Sequence, residues 1–135
     1  RTPAELVAAE SLCARGFGAG DGGAEPFGSR FGHVTGLADR GLEVAVASLD
    51  GVPGATALGI VDGPAAGIYN VATLPGLRRR GLARAALDAV LLQLTRRGAG
   101  RVVLESSCDG LGLYRAMGFR DAGQALVLTV APDRG

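Results

Sequence analysis

The chain contains no lysine; all 14 of its basic residues are arginine. Against 13 acidic residues they leave a formal net charge of +1. That balance argues against nucleic-acid binding driven by bulk positive charge. The missing lysine, with the wealth of alanine and glycine, fits codon bias in a GC-rich genome. No apolar run approaches the ~20 residues of a membrane span, so no membrane partner is expected. Arg1 opens the sequence without a methionine or a leader pattern, and a trimmed start or a place in a longer chain is the expectation. Cys13 and Cys108 form no metal or redox spacing. Two free thiols suit a reducing cytoplasm, and no metal is expected.

What is present is apolar and ordered in pattern. With 135 residues, 47% of them hydrophobic, the chain is long enough for one domain and its core. "PAELVAAESLCAR" (3–15) predicts a helix with Pro3 and Glu5 in its first turn and Leu6, Ala9 and Cys13 on one face. "GFGAGDGGAEPFGSRFG" then breaks every period and predicts a loop, with a substrate lid as the functional alternative. From Leu42 the pattern alternates. "LEVAVASLDG", "ATALGIVDGP" and "AAGIYNVATLP" predict three strands joined by turns at Asp50-Gly51 and Asp62-Gly63, an antiparallel meander.

Residues 80–97 turn helical, with Leu87, Val90, Leu91 and Leu94 in one stripe and glycines 98 and 100 as the stop. "RVVLESS" predicts a strand, Leu111 to Met117 a short helix ended by Gly118, and "ALVLTVA" (125–131) a last strand. The crossover from the third strand through the long helix to "RVVLESS" is a βαβ unit, which makes those two strands parallel neighbours. The fold class is therefore α/β (α+β): a mixed, mostly antiparallel central sheet with one parallel β-α-β crossover and helices on both faces.

One stretch resists a purely structural reading. "LPGLRRRGLARAAL" sets Arg78, Arg79, Arg80 and Arg84 around Gly81 at the mouth of an apolar helix. Cations there oppose the positive end of the helix dipole. A glycine-bearing turn between a strand and a helix also aims backbone N–H groups at one point, a setting that favours phosphate. Polyanion binding explains the arginines, whereas solvation alone does not. The pattern is neither a P-loop nor a dinucleotide G-x-G-x-x-G fingerprint.

"RRRGLA" (78–83) resembles the Arg/Gln-x-x-Gly-x-Gly/Ala signature of the GNAT superfamily, the CoA-dependent N-acetyltransferases. About thirty residues on, "LYRAMGF" (113–119) is similar to that family's Leu-Tyr-x-x-x-Gly-Phe block. The resemblance covers roughly residues 42–123, and Ala83 is a permitted variant of the signature. It implies one domain over 1–135, with 1–41 an irregular acceptor-side region and 42–131 an acetyl-CoA-binding core. It further implies a splayed strand, "IYNVATL", whose Val71, Ala72 and Thr73 hydrogen-bond the pantetheine arm. Arg78, Arg79, Arg80, Gly81, Leu82, Ala83 and Arg84 would hold the pyrophosphate, with glycine at 81 for close backbone approach. The thioester would lie near Ser106, Ser107 and Leu113.

The resemblance makes Tyr114 the acid that protonates the departing CoA thiolate; a buried packing role is the plain alternative. Phenol and thiol have similar ordinary pKa values, about 10 and 8.5. Glu105 is a candidate base for the attacking amine, set against a charged residue at a strand edge. Tyr69, Asn70 and Glu43 are candidates for the acceptor side, and His33 reads as a solvated loop residue or a lid-borne base. The implied reaction is direct transfer of acetyl from acetyl-CoA to an amine, with a small molecule as the expected acceptor. A non-catalytic acyl-CoA-binding or regulatory module is the rival, and a protein N-acetyltransferase a further one. Homodimerisation is an option to which the resemblance points without marking an interface. The family opens with a strand that these residues do not show, so the departure from its pattern falls on the acceptor side.

Overall fold

Helix α1 (Pro3–Gly16) starts where the residues at its mouth satisfy one another. The Thr2 hydroxyl accepts from the Glu5 N–H at 3.3 Å, and the Glu5 carboxylate accepts from the Thr2 N–H at 2.7 Å. This reciprocal cap, with proline in the first turn, fixes the helix start. The structure is a computed structural model and describes residues 2–18 and 41–126. They fall into two units, one ending at Leu104 and one beginning at Glu105.

In the first unit, β1 (Leu42–Leu49), β2 (Val52–Asp62), β3 (Ala65–Thr73) and β4 (Arg101–Leu104) form one sheet in the order β1-β2-β3-β4. The first two pairings are antiparallel and the third is parallel. Asp50 and Gly51 both hold positive φ, 51° and 79°, the conformation that a two-residue hairpin turn demands. The meander and the parallel crossover follow the sequence pattern.

Between β3 and β4 runs α2 (Leu82–Arg96), preceded by a short 3-10 turn at Pro75–Leu77. Its apolar stripe is the heart of the core: Leu87, Leu94 and Val90 are the largest fully buried side chains. Each stabilises the fold by roughly 1.5–3 kcal/mol relative to exposure. The stripe packs so closely on β2 that a Cβ at Gly59 would lie 2.7 Å from Val90 Cγ1. The next residue back, Leu58, points to the other face, where it joins Leu42, Val44 and Ala9 with Leu6 beside them. Helices thus cover opposite faces, α2 on one and α1 on the other. Gly98, φ 93°, turns the chain out of α2 two residues past its end, and the Ala99 N–H reaches back to the Leu94 carbonyl at 3.1 Å.

The second unit holds α3 (Leu111–Ala116). Its short length suffices because Gly118, φ 93°, closes it: the Phe119 N–H bonds the Tyr114 carbonyl at 3.0 Å and the Gly118 N–H bonds that of Arg115 at 3.0 Å.

Some boundaries differ from the sequence pattern. Helix α2 begins at Leu82 and not at residue 80, because Gly81 is left-handed and caps it. Strand β4 stops at Leu104, short of Ser107, and its pairing with β3 ends at Ile68. Ala125 and Leu126 are outside any strand, and Leu126 is exposed. The rest of that expected strand, 127–131, and most of the glycine-rich loop lie outside the described residues.

Candidate functional site

Strand β3 changes character halfway along. Up to Ile68 it is paired on both sides. Beyond Ile68 no β4 residue pairs with it, so Tyr69 to Thr73 keep β2 on one side only among the described residues. There it also bulges: Leu58 faces Tyr69 and Thr56 faces Ala72, which sets Asn70 and Val71 against the single residue Ala57. Asn70 carries the strain with φ 52°, a left-handed conformation that asparagine tolerates better than the β-branched residues around it. The bulge carbonyl, Asn70 O, accepts from the Cys13 thiol of α1 at 3.6 Å. Val71, Ala72 and Thr73 therefore lie on a strand edge whose backbone groups on one side are not used by the sheet.

The chain then enters the arginine turn. Arg79 and Gly81 hold φ of 62° and 79°, with Arg80 between them. Such changes of hand turn successive N–H groups toward a common point. Gly81 caps α2 without any side-chain hydrogen bond, so the N–H groups of Leu82, Ala83 and Arg84 have no partner in the helix. A Cβ at Gly81 would meet nothing within 4 Å among the described residues, which leave the approach to these donors open. Arg79 and Arg80 are exposed and have no side-chain partner among the described residues. Arg84 lies 3.8 Å from Asp88, both more than half exposed, a pair too solvated to neutralise it.

Arg78 differs from its neighbours. Its guanidinium donates from Nε to the Thr73 carbonyl at 3.3 Å and from Nη2 to the Gly16 carbonyl at 2.9 Å. Arg78 is exposed like its neighbours, and its engagement with two backbone carbonyls sets it apart from Arg79, Arg80 and Arg84.

In the second unit, Glu105 and Ser107 are exposed and Leu113 is half-buried. The Ser106 hydroxyl donates to the Ser107 carbonyl at 2.7 Å, and that carbonyl accepts from the Gly110 N–H at 3.1 Å. This turn leads into α3, where Tyr114 is 8% exposed. Its ring lies over Gly110, whose Cβ would come 2.9 Å from Tyr114 Cε2. Burial pushes the Tyr114 phenol above its ordinary value of 10.0, so the ring carries its proton at neutral pH.

The remaining sequence candidates separate. Tyr69, 53% exposed, lies against Gly67 on the face that α1 covers in part. Glu43 takes the opposite face: it pairs with Gly59 and bonds Arg97 at the end of α2 at 2.5 Å. Glu43 is thereby removed from Tyr69 and Asn70, because one residue's shift along a strand reverses the side. His33 lies outside the described residues. Sequence reasoning missed Glu10, buried beside Cys13, Thr56 and Asn70 in a small cavity lined otherwise by apolar side chains. The signal was available, since Glu10 stands three residues before Cys13 on the apolar face of α1.

Sheet, bulge and open helix start define an α/β domain with a half-free strand leading into an anion-accepting turn. The profile of the acetyltransferase (GNAT) family matches residues 22–119, and the chain belongs to that family. Its fold is shared with glucosamine-6-phosphate N-acetyltransferase from Arabidopsis thaliana, at a TM-score of 0.73 and 16% identity over 93% of this chain and 92% of that one. A predicted acetyltransferase from Clostridium acetobutylicum, solved with acetyl-CoA, gives a TM-score of 0.72 and 22% identity over 96% and 92%. The aminoglycoside N-acetyltransferase AAC(6')-Iy in complex with CoA gives 0.69 and 18% over 96% and 91%. A comparison with curated protein sequences finds no match.

Proposed function

We propose that the protein transfers the acetyl group of acetyl-CoA to the amine of a small molecule. The observation that carries this reading is the half-free β3: among the described residues its edge from Tyr69 to Thr73 has no β4 partner, and one short 3-10 turn and the arginines separate it from the open N–H groups of Leu82, Ala83 and Arg84. An extended amide-bearing arm ending in a pyrophosphate matches both parts, hydrogen bonds along a strand and anions at a helix start. Val71, Ala72 and Thr73 would bind the arm through their backbone. The turn from Arg79 to Arg84 would bind the pyrophosphate, with Arg79, Arg80 and Arg84 adding charge. The structures solved with CoA and acetyl-CoA, whose fold this chain shares, support that assignment.

The chemistry needs few groups. The amine nitrogen attacks the thioester carbonyl, the C–S bond breaks, and the sulfur leaves as a thiolate that must be protonated. Tyr114 is the assigned donor, since burial keeps its phenol neutral. The amine's proton goes to Glu105 or to water. A small amine fits the proposal best because the family neighbours include enzymes named for glucosamine-6-phosphate and aminoglycosides. The free thiols Cys13 and Cys108 suit the reducing cytoplasm in which we place the reaction.

The test is thiol release from acetyl-CoA in the presence of a panel of amino sugars, polyamines and amino acids. Amine-dependent release supports the reading. Tight acetyl-CoA binding with no release for any amine or peptide would replace it with a non-catalytic acyl-CoA-binding module.

A further inference from the structure

The arginine turn holds four arginines, and the structure gives one of them a different task. Arg78 precedes the two left-handed residues of the turn and is itself extended, φ −66° and ψ 157°. Its guanidinium spans two carbonyls that belong to different elements: Thr73 O at the end of β3 and Gly16 O at the end of α1, 62 residues away in sequence. Gly16 ends α1, and its carbonyl is one of those a helix leaves without a partner. A cation there also complements the negative end of the helix dipole. The helix end can reach β3 because residue 16 has no side chain; a Cβ would stand 2.7 Å from Ala72 Cβ and 3.2 Å from Thr73 N. A third tie, the Cys13 thiol on Asn70 O, holds the same helix to the bulge at 3.6 Å.

We infer that Arg78 is a positioning residue: it fastens α1 to the free end of β3 and sets the arginine turn, and it is not a ligand of the pyrophosphate. Planarity and paired donors matter in this role more than charge, because both acceptors are neutral carbonyls. The proposal rests on the acetyl-CoA reading of the turn. It separates Arg78 from Arg79, Arg80 and Arg84, which carry the charge that the anion meets. It also couples two halves of the site, since α1 borders the bulge and the turn borders the helix start.

Two readouts test it on the full chain. The first is the salt dependence of acetyl-CoA dissociation for wild type, Arg78→Gln, Arg78→Lys and Arg80→Gln, followed by calorimetry. Removing a charge that contacts the anion flattens the salt dependence, because less of the binding energy is then subject to ionic screening. Arg78→Gln is expected to keep the wild-type slope and Arg80→Gln to flatten it. Arg78→Gln, with a planar donor, should retain more affinity than Arg78→Lys, which keeps only the charge. The second readout is amide exchange at Phe17 and Gly18, whose N–H groups close the end of α1 on Cys13, Ala14 and Arg15. It is expected to quicken about tenfold in Arg78→Lys and to stay near wild type in Arg80→Gln. A flattened slope in Arg78→Gln, or unchanged exchange at Phe17 and Gly18 in both Arg78 variants, would overturn the inference. If wild type binds no acetyl-CoA, the functional reading fails while the exchange result still decides whether Arg78 fastens α1.

Discussion

The rings of Tyr114 and Phe119 meet edge to face, their centroids 6.0 Å apart and their planes at 75°. The contact follows from the helix stop between them, because Gly118 in the left-handed conformation turns the chain back and returns Phe119 over the last turn of α3. A Leu-Tyr-x-x-x-Gly-Phe block thereby has a mechanical meaning: glycine makes the turn and phenylalanine braces the tyrosine. Such ring pairs contribute about 0.5–1.5 kcal/mol beyond burial. A tyrosine held this way is oriented for its hydroxyl, and Tyr114→Phe keeps the bracing. We expect the variant to lower turnover about a hundredfold while acetyl-CoA affinity stays within about twofold, measured by steady-state kinetics beside calorimetry. Equal turnover would assign protonation of the thiolate to another group or to water.

On the proposed mechanism the same phenol would set an alkaline limit. Burial raises the Tyr114 pKa above its ordinary 10.0, so the acid form persists through neutral and mildly alkaline pH. Turnover limited by thiolate protonation should hold until pH exceeds that ordinary value and then fall as the phenol ionises. A pH profile of turnover in wild type shows this limb; in Tyr114→Phe it should be missing.

Gly81→Ala tests the turn with a single methyl. The φ of 79° costs a non-glycine residue roughly 1–2 kcal/mol. The new Cβ meets no atom of the described residues within 4 Å, so the expected loss of stability is conformational and amounts to a few degrees in Tm. On the proposed reading the methyl would occupy space needed for the pyrophosphate's approach to the backbone. Acetyl-CoA affinity should therefore drop more than stability does, by about tenfold or more, in calorimetry and thermal melts run together.

Gly59→Ala tests the core from beneath. Its Cβ would fall 2.7 Å from Val90 Cγ1 and 2.9 Å from both methyls of Leu94. Overpacking of this kind typically costs about 1–3 kcal/mol, and a complementary Val90→Ala in the same chain should recover part of it. Urea unfolding of the two single variants and the double variant measures the coupling.

The two cysteines should behave oppositely. Cys108 is exposed and Cys13 buried. Burial, with the Glu10 charge beside it, raises the Cys13 thiol from 9.0 to about 11. A thiol reagent at pH 8 is expected to modify Cys108 rapidly and Cys13 only on unfolding. The sign for stability follows from the raised value. The neutral thiol stabilises the fold fully below pH 9.0 and the contribution is lost as pH climbs toward about 11. Cys13→Ala should lack that alkaline loss in Tm measured across the same interval.

Much of this architecture was legible in the sequence because local chemistry determined it. Asp50-Gly51 supplies the positive φ of a hairpin, the stripe from Leu87 to Leu94 has a helical period, and Gly98 and Gly118 supply the left-handed stops. What was not legible depends on contacts between distant residues. The bulge at Asn70 lies inside a run that reads as regular strand, and only its pairing with β2 reveals the extra residue. Arg78 is indistinguishable in sequence from Arg79 and Arg80, since its acceptor Gly16 O stands 62 residues earlier. Glu43 is in sequence one of three acceptor-side candidates, and only the register of β1 with Gly59 shows that it lies beside Arg97.

We propose that the edge of β3 left unpaired among the described residues and the helix start at Gly81 together form a pantetheine and pyrophosphate site. Calorimetric titration with acetyl-CoA, desulfo-CoA and ATP tests it most directly. Binding of both CoA forms, with ATP failing to bind, is the predicted result, because the site proposed on Val71 to Thr73 would take the arm and not the nucleotide. Failure of both CoA forms to bind, or equal binding of ATP, would contradict the claim.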